Sequence, residues 1–220
     1  MNEIRDLERL DPAKEVSGDL YDFFTVEPGK MCFVVGDVSG KGVAAGLFVA
    51  VTRTLIRATA APGRSPLEIL QKVNAQLCAE NQANLFVTMI LGILDTVTGR
   101  MKYGQGGHNP PLLLPAQGEP VYEPSGGMPL GVFDDAKVGQ RQLDLKLGET
   151  LLVYTDGVTE AMNPKRELFG EERLKQALQG QARLSPETLT QRVVEEVAKF
   201  AAGAEPSDDI TLLAVKHRAA

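Results

Sequence analysis

The chain has 220 residues, of which 43% are hydrophobic and 24% charged, ordinary values for a soluble globular protein that buries a substantial core in one domain. The 23 Lys and Arg against 29 Asp and Glu give a formal charge of −6, which repels a phosphate backbone and argues against nucleic acid as a partner. The opening MNEIRDLERL lacks the apolar core of a secretory signal, and no uncharged apolar run approaches the ~18 residues of a membrane helix. A cytoplasmic location without membrane insertion is therefore expected.

Met31 to Val38 is apolar and β-branched and predicts a buried strand. Gly42 to about Ala60 predicts a helix, buried at its start and more exposed where Arg53 and Arg57 appear. A second helix is expected from Ser65-Pro66-Leu67-Glu68, where Ser is a good N-cap, Pro suits the first helical position and Glu completes a capping box. Leu67, Leu70, Asn74 and Leu77 mark one face of it. From Leu85 the pattern becomes strand-like, with a turn at Asp95 to Gly99 making a hairpin, and GGHNPP at Gly106 to Pro111 reads as a loop. Leu112 to Leu114 and Val121-Tyr122 predict a further hairpin, and Val138 to Leu145 and Thr150 to Tyr154 two more strands. Helices follow at Glu171 to Leu178 and from Ser185-Pro186, where Leu189, Val193, Val197 and Phe200 repeat at helical spacing, and Ile210 to Val215 closes the chain as a strand. The class is α+β with predominantly antiparallel sheet. Cys32 on a strand and Cys78 on a helical stripe read as buried thiols and lack metal-site spacing.

FVVGDVSGKG at Phe33 to Gly42 ends a strand in a glycine-rich turn. It is no phosphate-binding P-loop, because Gly36 and Gly40 enclose three residues where four are needed and Gly42 stands where a hydroxyl is required. A lone aspartate at a strand end is ordinarily a turn former, but Asp37 has company. Asp156 follows the strand TLLVY in the same way, Asp19 stands beside Gly18, and Asp208-Asp209 immediately precede the last strand. Gathered carboxylates repel one another unless cations neutralise them. Oxygen donors favour magnesium or manganese over zinc or copper, and two histidines in the chain exclude a His-rich zinc site. Four or five carboxylates suit a pair of ions, which activates water for displacement at phosphorus. Metal-dependent phosphate-ester hydrolysis is the chemistry to which these residues point.

The ordered set PAKEVSGDLYDFF, VVGDVSGKGVAAGLFVA, NLFVTM, GHNPPLLL, GMPLG, LLVYTDGVTEAMN, FGEERL and DDITLL resembles the PPM (type 2C) metal-dependent protein phosphatases, in particular their bacterial RsbU/SpoIIE branch. The resemblance spans residues 12–215 and implies one phosphatase domain over 1–220. It implies a sandwich of two antiparallel β-sheets flanked by α-helices, in four αββα layers, with two Mn2+ or Mg2+ ions at one end. It also implies hydrolysis of phosphoserine or phosphothreonine without a covalent enzyme intermediate. By motif, Asp37 and Asp19 would be the catalytic carboxylates. Asp37 would bridge the metals and the Val38 backbone carbonyl would join it as a ligand, Asp19 would bind one ion, and Asp156 and Asp208 the other. Asp209 and Gly157 would stand just outside the direct ligands. The branch implies as partner a phosphorylated regulator, a STAS-domain anti-anti-sigma factor in a partner-switching pathway, and a possible homodimer. Competing readings are a non-catalytic docking module of the same fold and a hydrolase of small phosphate esters.

Some positions depart from the eukaryotic pattern. Ser39 replaces a histidine that is a candidate general acid, and Lys14 and Glu15 occupy the region of a phosphate-binding arginine. IRDLERL is either a divergent first strand or the remnant of a longer segment. His108 reads as a loop residue held by hydrogen bonds, Lys41 as a solvated lysine and His217 as exposed and idle. Residues 84–88, NLFVT, read as strand packing, and Gly131 and Gly157 as backbone requirements of turns. Glu160, Asn163 and Glu167 suit either the rim of the site or a solvated loop. Ala44, Ala45, Gly46 and Ala50 permit a helix either to shift or to pack closely.

Overall fold

The computed structural model describes residues 3–11, 17–79 and 81–218, with side chains from residue 17 to residue 217. Lys14 and Glu15 thus lie outside the described residues. The chain begins β1 (Glu3–Asp11), β2 (Asp19–Glu27), β3 (Lys30–Val38), α1 (Val43–Thr59), α2 (Pro66–Ala79), β4 (Val87–Asp95) and β5 (Arg100–Gly106). It continues β6 (Leu112–Leu114), β7 (Val121–Tyr122), β8 (Gly139–Asp144), β9 (Thr150–Tyr154), α3 (Asp156–Thr159), α4 (Gly170–Leu178), α5 (Pro186–Ala201) and β10 (Ile210–Arg218). These elements form two units, each drawn from separated stretches of chain: Lys14–His108 with Ser125–Asp144, and Met1–Ala13 with Asn109–Pro124 and Leu145–Ala220. Each unit holds one five-stranded sheet, and every strand pair is antiparallel. The expected α+β class with two antiparallel sheets and helices is observed. Among the described residues no helix is long and apolar enough to cross a membrane.

The sheet of the first unit runs β2-β3-β4-β5-β8. In β3, Cys32, Phe33, Val34 and Val35 are all fully buried, so both faces of the strand are covered and its sequence is continuously apolar. Cys32, Val34 and Val38 point to the face on which Ile56 of α1 and Ile69, Leu70, Val73 and Leu77 of α2 pack. Phe33 stands opposite Gly92 of β4, where a Cβ would lie 2.3 Å from the ring; only glycine lets the ring cross the neighbouring strand. The predicted start of α2 is observed: Glu68 N–H donates to Ser65 Oγ at 3.3 Å and Ser65 N–H donates to the Glu68 carboxylate at 2.8 Å, a reciprocal capping box.

The expected burial of the start of α1 is corrected. Val43, Leu47 and Val51 are 71%, 63% and 50% exposed, and the helix instead buries Ala45, Thr52, Ile56 and Thr59. Two arginines account for this orientation. Arg53 and Arg57 both reach Asp22 on β2, Arg57 with Nε and Nη2 at 2.5 and 2.6 Å and Arg53 with Nε at 3.0 Å. Their attachment fixes which side of the helix meets the sheet, and the small side chains Ala45 and Thr52 permit the close approach.

The second unit has strand order β1-β10-β9-β6-β7. The segment IRDLERL is part of β1, which pairs with β10 from Glu3↔Arg218 to Asp11↔Ile210. Leu112, Leu152, Tyr154 and Leu212 of the sheet share a buried core with Leu174 and Leu178 of α4 and Leu189, Val193 and Val197 of α5. Ser185 caps α5 by accepting from Thr188 N–H at 3.1 Å, as its sequence predicts. His217 is not exposed: it is 4% accessible and its Nδ1 lies 2.7 Å from the Leu145 carbonyl oxygen. The pairing with β1 carries β10 past the predicted Val215 end and encloses this residue in the sheet.

Burial by itself raises the pKa of Asp22, but the hydrogen bonds and charges of Arg57 and Arg53 outweigh it and hold the carboxyl below the usual carboxylate range. A depressed folded-state pKa contributes stability above the unfolded value of ~3.9, and this is lost as pH falls through the folded value. Asp22→Asn is expected to lower the unfolding free energy by about 1–3 kcal/mol at neutral pH, at the low end because both arginines are half exposed. Urea titrations should show the difference shrinking once the pH drops below about 4; a difference that stays constant into strong acid would refute the assignment.

Candidate functional site

In the first unit, antiparallel register sets Asp19 of β2 directly opposite Asp37 of β3, and Asp37 directly opposite Thr88 of β4. Residues paired across strands share a face, with Cβ atoms about 4.5–5.5 Å apart. The three side chains thus form a row on the face opposite α1 and α2. Asp19 is 6% exposed and Asp37 half-buried. Ser17 Oγ accepts from the Asp19 N–H at 3.0 Å, and Val38 N–H donates to the Gly18 carbonyl at 3.0 Å. A Cβ on Gly18 would stand 3.2 Å from the Val38 carbonyl oxygen and 3.5 Å from Asp37 Oδ1. Gly18 therefore leaves open a recess bordered by the carboxylate and carbonyl oxygens that the motif resemblance singles out.

The turn after β3 is fastened to β4 by a reciprocal pair: Ser39 N–H donates to the Phe86 carbonyl at 2.8 Å and Phe86 N–H donates to Ser39 Oγ at 2.9 Å. Gly40 and Gly42 follow with φ of +88° and +79°, a left-handed conformation that favours glycine. Lys41 is exposed. His108 is buried, with Nδ1 3.1 Å from Thr88 Oγ1, consistent with a loop histidine held by hydrogen bonding. The packing assigned to residues 84–88 holds for the fully buried Val87, but Thr88 belongs to the carboxylate row.

In the second unit, Thr155 joins the end of β9 to β10. Its N–H donates to the Thr211 carbonyl at 3.1 Å, and its Oγ1 accepts from Thr211 N–H at 2.9 Å. Asp156 then opens α3 and remains half-buried. A Cβ on the following Gly157 would lie 1.9 Å from the Asp209 carbonyl oxygen. Gly157 has no positive φ, so the turn requirement expected of it is corrected to close backbone approach. Gly131, at φ +96°, does fulfil the turn role. The contact sets Asp156 next to the Asp208-Asp209 peptide; Asp208 Oδ1 accepts from Asp209 N–H at 2.9 Å, and Asp209 is buried. Asn163 Oδ1 accepts from the N–H groups of Lys165 and Glu167 at 2.9 and 3.0 Å, while Nδ2 donates to Glu167 Oε2 at 2.7 Å. Asn163 and Glu167 thereby close their own loop, and Glu160 is exposed.

Register thus sets Asp19 opposite Asp37 in the first unit, and in the second Asp156 stands next to the Asp208-Asp209 backbone. Among the described residues, no group of three or more His, Cys, Asp or Glu side chains is gathered closely enough to hold a metal ion. The donor chemistry of the pairs fits hard divalent cations, being carboxylate and carbonyl oxygen throughout. Softer ligands stand elsewhere: burial pushes the Cys32 thiol up to about 12, which keeps it protonated. Thr88 is the residue that sequence reasoning missed as a neighbour of the carboxylates. Thr88 carried a signal, a polar side chain inside an otherwise apolar strand.

Comparison with known proteins gives a match over residues 27–218 to the family model described as Stage II sporulation protein E (SpoIIE). Protein IcfG of Synechocystis sp. strain PCC 6803 is 29% identical over 94% of this chain and 37% of its own length. The phosphoserine phosphatase RsbU of Bacillus subtilis is 23% identical over 94% of this chain and 61% of its own. The chain thus spans less than two thirds of either relative. The crystal structure of the RsbU and RsbW domains of Rv1364c from Mycobacterium tuberculosis superposes with a TM-score of 0.81 at 28% identity, covering 99% of this chain and 61% of that one.

Gly157→Ala tests the close approach in the second unit. A methyl group at 1.9 Å from a backbone oxygen forces the Asp208-Asp209 segment away from Asp156. The expected cost is roughly 3 kcal/mol of unfolding free energy, measured by chemical denaturation, and wild-type stability would contradict it.

Proposed function

The chain belongs to the SpoIIE family, and from that membership we propose that it is a protein serine/threonine phosphatase acting on a phosphorylated regulatory protein. The observation that carries the reading is the placement of Asp19 opposite Asp37 on adjacent strands, at the positions to which the family motif assigns metal ligands. Two carboxylates placed so close repel each other, and divalent cations offset that repulsion.

We assign two Mn2+ or Mg2+ ions to this chain, with Asp19, Asp37, the Val38 carbonyl, Asp156 and Asp208 as their ligands. When bound, such a pair supplies Lewis acidity and an activated water for in-line displacement at phosphorus. The chain's own residues do the positioning. Gly18 leaves the recess beside Asp37 and Val38 open, and Gly157 admits the Asp208-Asp209 backbone beside Asp156. Ser39 secures the β3 turn to Phe86 by accepting from its N–H, a structural role. The substrate is a phosphoserine or phosphothreonine on a STAS-domain anti-anti-sigma factor in the cytoplasm. RsbU, a phosphoserine phosphatase by name, supports the reaction class.

Hydrolysis of an aryl phosphate across a manganese and magnesium titration should be abolished by a chelator. Asp37→Ala should reduce it by more than about a hundredfold, the upper end of what even outer partners of a metal site contribute. Calorimetry should show weakened manganese binding by the same variant. Metal-independent turnover, or equal turnover in the variant, would overturn the assignment.

A further inference from the structure

A cavity of about 300 Å³ lies among α3, the carboxyl-terminal half of α5 and the segment entering β10. Gly157, Ala161 and Val197 form a buried floor, and Val194, Met162 and Ile210 extend the apolar lining. Met162 is 41% exposed, so the apolar lining continues to the surface. Asp208 borders the same cavity, and Gly157 packs against the Asp208-Asp209 peptide. A proposed metal ligand and an apolar recess thus share one piece of backbone.

Apolar lining selects an apolar occupant, because an unpaired polar group placed there loses its water without gaining a partner. Ser207 at the edge is already engaged, its Oγ donating to the Glu160 carbonyl at 3.1 Å. We infer that this cavity is a substrate subsite that receives an aliphatic or aromatic side chain near the phosphorylated residue of the protein substrate. The inference rests on the phosphatase reading, since contiguity with Asp208 identifies the occupant as part of the molecule whose phosphate is removed. The subsite distinguishes a phosphoprotein from a small phosphate ester, which has no side chain to place there. It also confers sequence preference on a reaction whose phosphate contacts are the same for every phosphoserine.

The test uses the whole chain with manganese and a series of polar phosphoserine peptides in which one leucine is walked through the flanking positions. Both kcat/KM and affinity, by fluorescence anisotropy, are read for the wild type and for Ala198→Trp, which fills the cavity from an exposed position on α5. Leucine at one favoured position should raise kcat/KM roughly tenfold to a hundredfold, and the tryptophan variant should erase the preference. Equal kcat/KM and equal affinity across the series, or a preference that survives in Ala198→Trp, would overturn the subsite while leaving the phosphatase standing. Leucine-dependent binding that Ala198→Trp removes, without hydrolysis of any peptide, would sustain the peptide site and sink the phosphatase. Affinity that rises as the protein is diluted would assign the cavity to a second copy of the chain and also overturn the proposal.

Discussion

Two carboxylates held face to face across adjacent strands are the constraint on which the first unit depends. At about 5 Å and an effective dielectric of about 20, two unit charges repel by about 3 kcal/mol, more than a single hydrogen bond returns. The pairing of Asp19 with Asp37 therefore has to be enforced by structure that is stable for other reasons. β3 supplies it, lying between β2 and β4 with Cys32, Phe33, Val34 and Val35 fully buried. A one-residue slip of either neighbour would turn its apolar set to the wrong face. The core thereby fixes the register, and the register fixes the carboxylates.

The second unit reaches a comparable end by different means. β9 also lies between two strands, β10 and β6, but Asp156 and Asp208 are not cross-strand partners. A glycine instead lets the chain at Asp156 meet the Asp208-Asp209 backbone, because the backbone of Asp209 occupies the space where a side chain at 157 would begin. Thr155 adds two hydrogen bonds to Thr211 immediately beside this contact. In the first unit pairing geometry does the positioning; in the second it is steric permission at a single residue.

These differences explain what was legible in the sequence. The capping box at Ser65, the hairpin after Asp95 and the buried run of β3 are local patterns, and each was readable from neighbouring residues. The acidic positions were readable too, since each follows or precedes an apolar run beside glycine or a second aspartate. Cross-strand relations were not. Thr88 joins Asp37 only through a register between residues about fifty positions apart, and His217 is enclosed because β1, from the other end of the chain, pairs beside it. The orientation of α1 was hidden for a related reason. Val43, Leu47 and Val51 are as apolar as a buried stripe, and nothing within the helix reveals that Arg53 and Arg57 are drawn to Asp22.

That attachment ties α1 to the carboxylate pair by two routes. Val38 leads into α1 through only the four residues 39–42, so the start of the helix follows the end of the strand that carries Asp37. Arg53 and Arg57 grip Asp22, which lies on β2 three residues beyond Asp19 and on the opposite face of the sheet. The helix is thus covalently continuous with one carboxylate-bearing strand and ion-paired to the other. The turn itself is stiffened by the Ser39–Phe86 pair, so a change in the position of α1 bears on strands that are already held in register. Asp19 and Asp37 consequently owe their opposition to the helix packed behind the sheet as well as to the ladder between them, although neither aspartate points toward that helix.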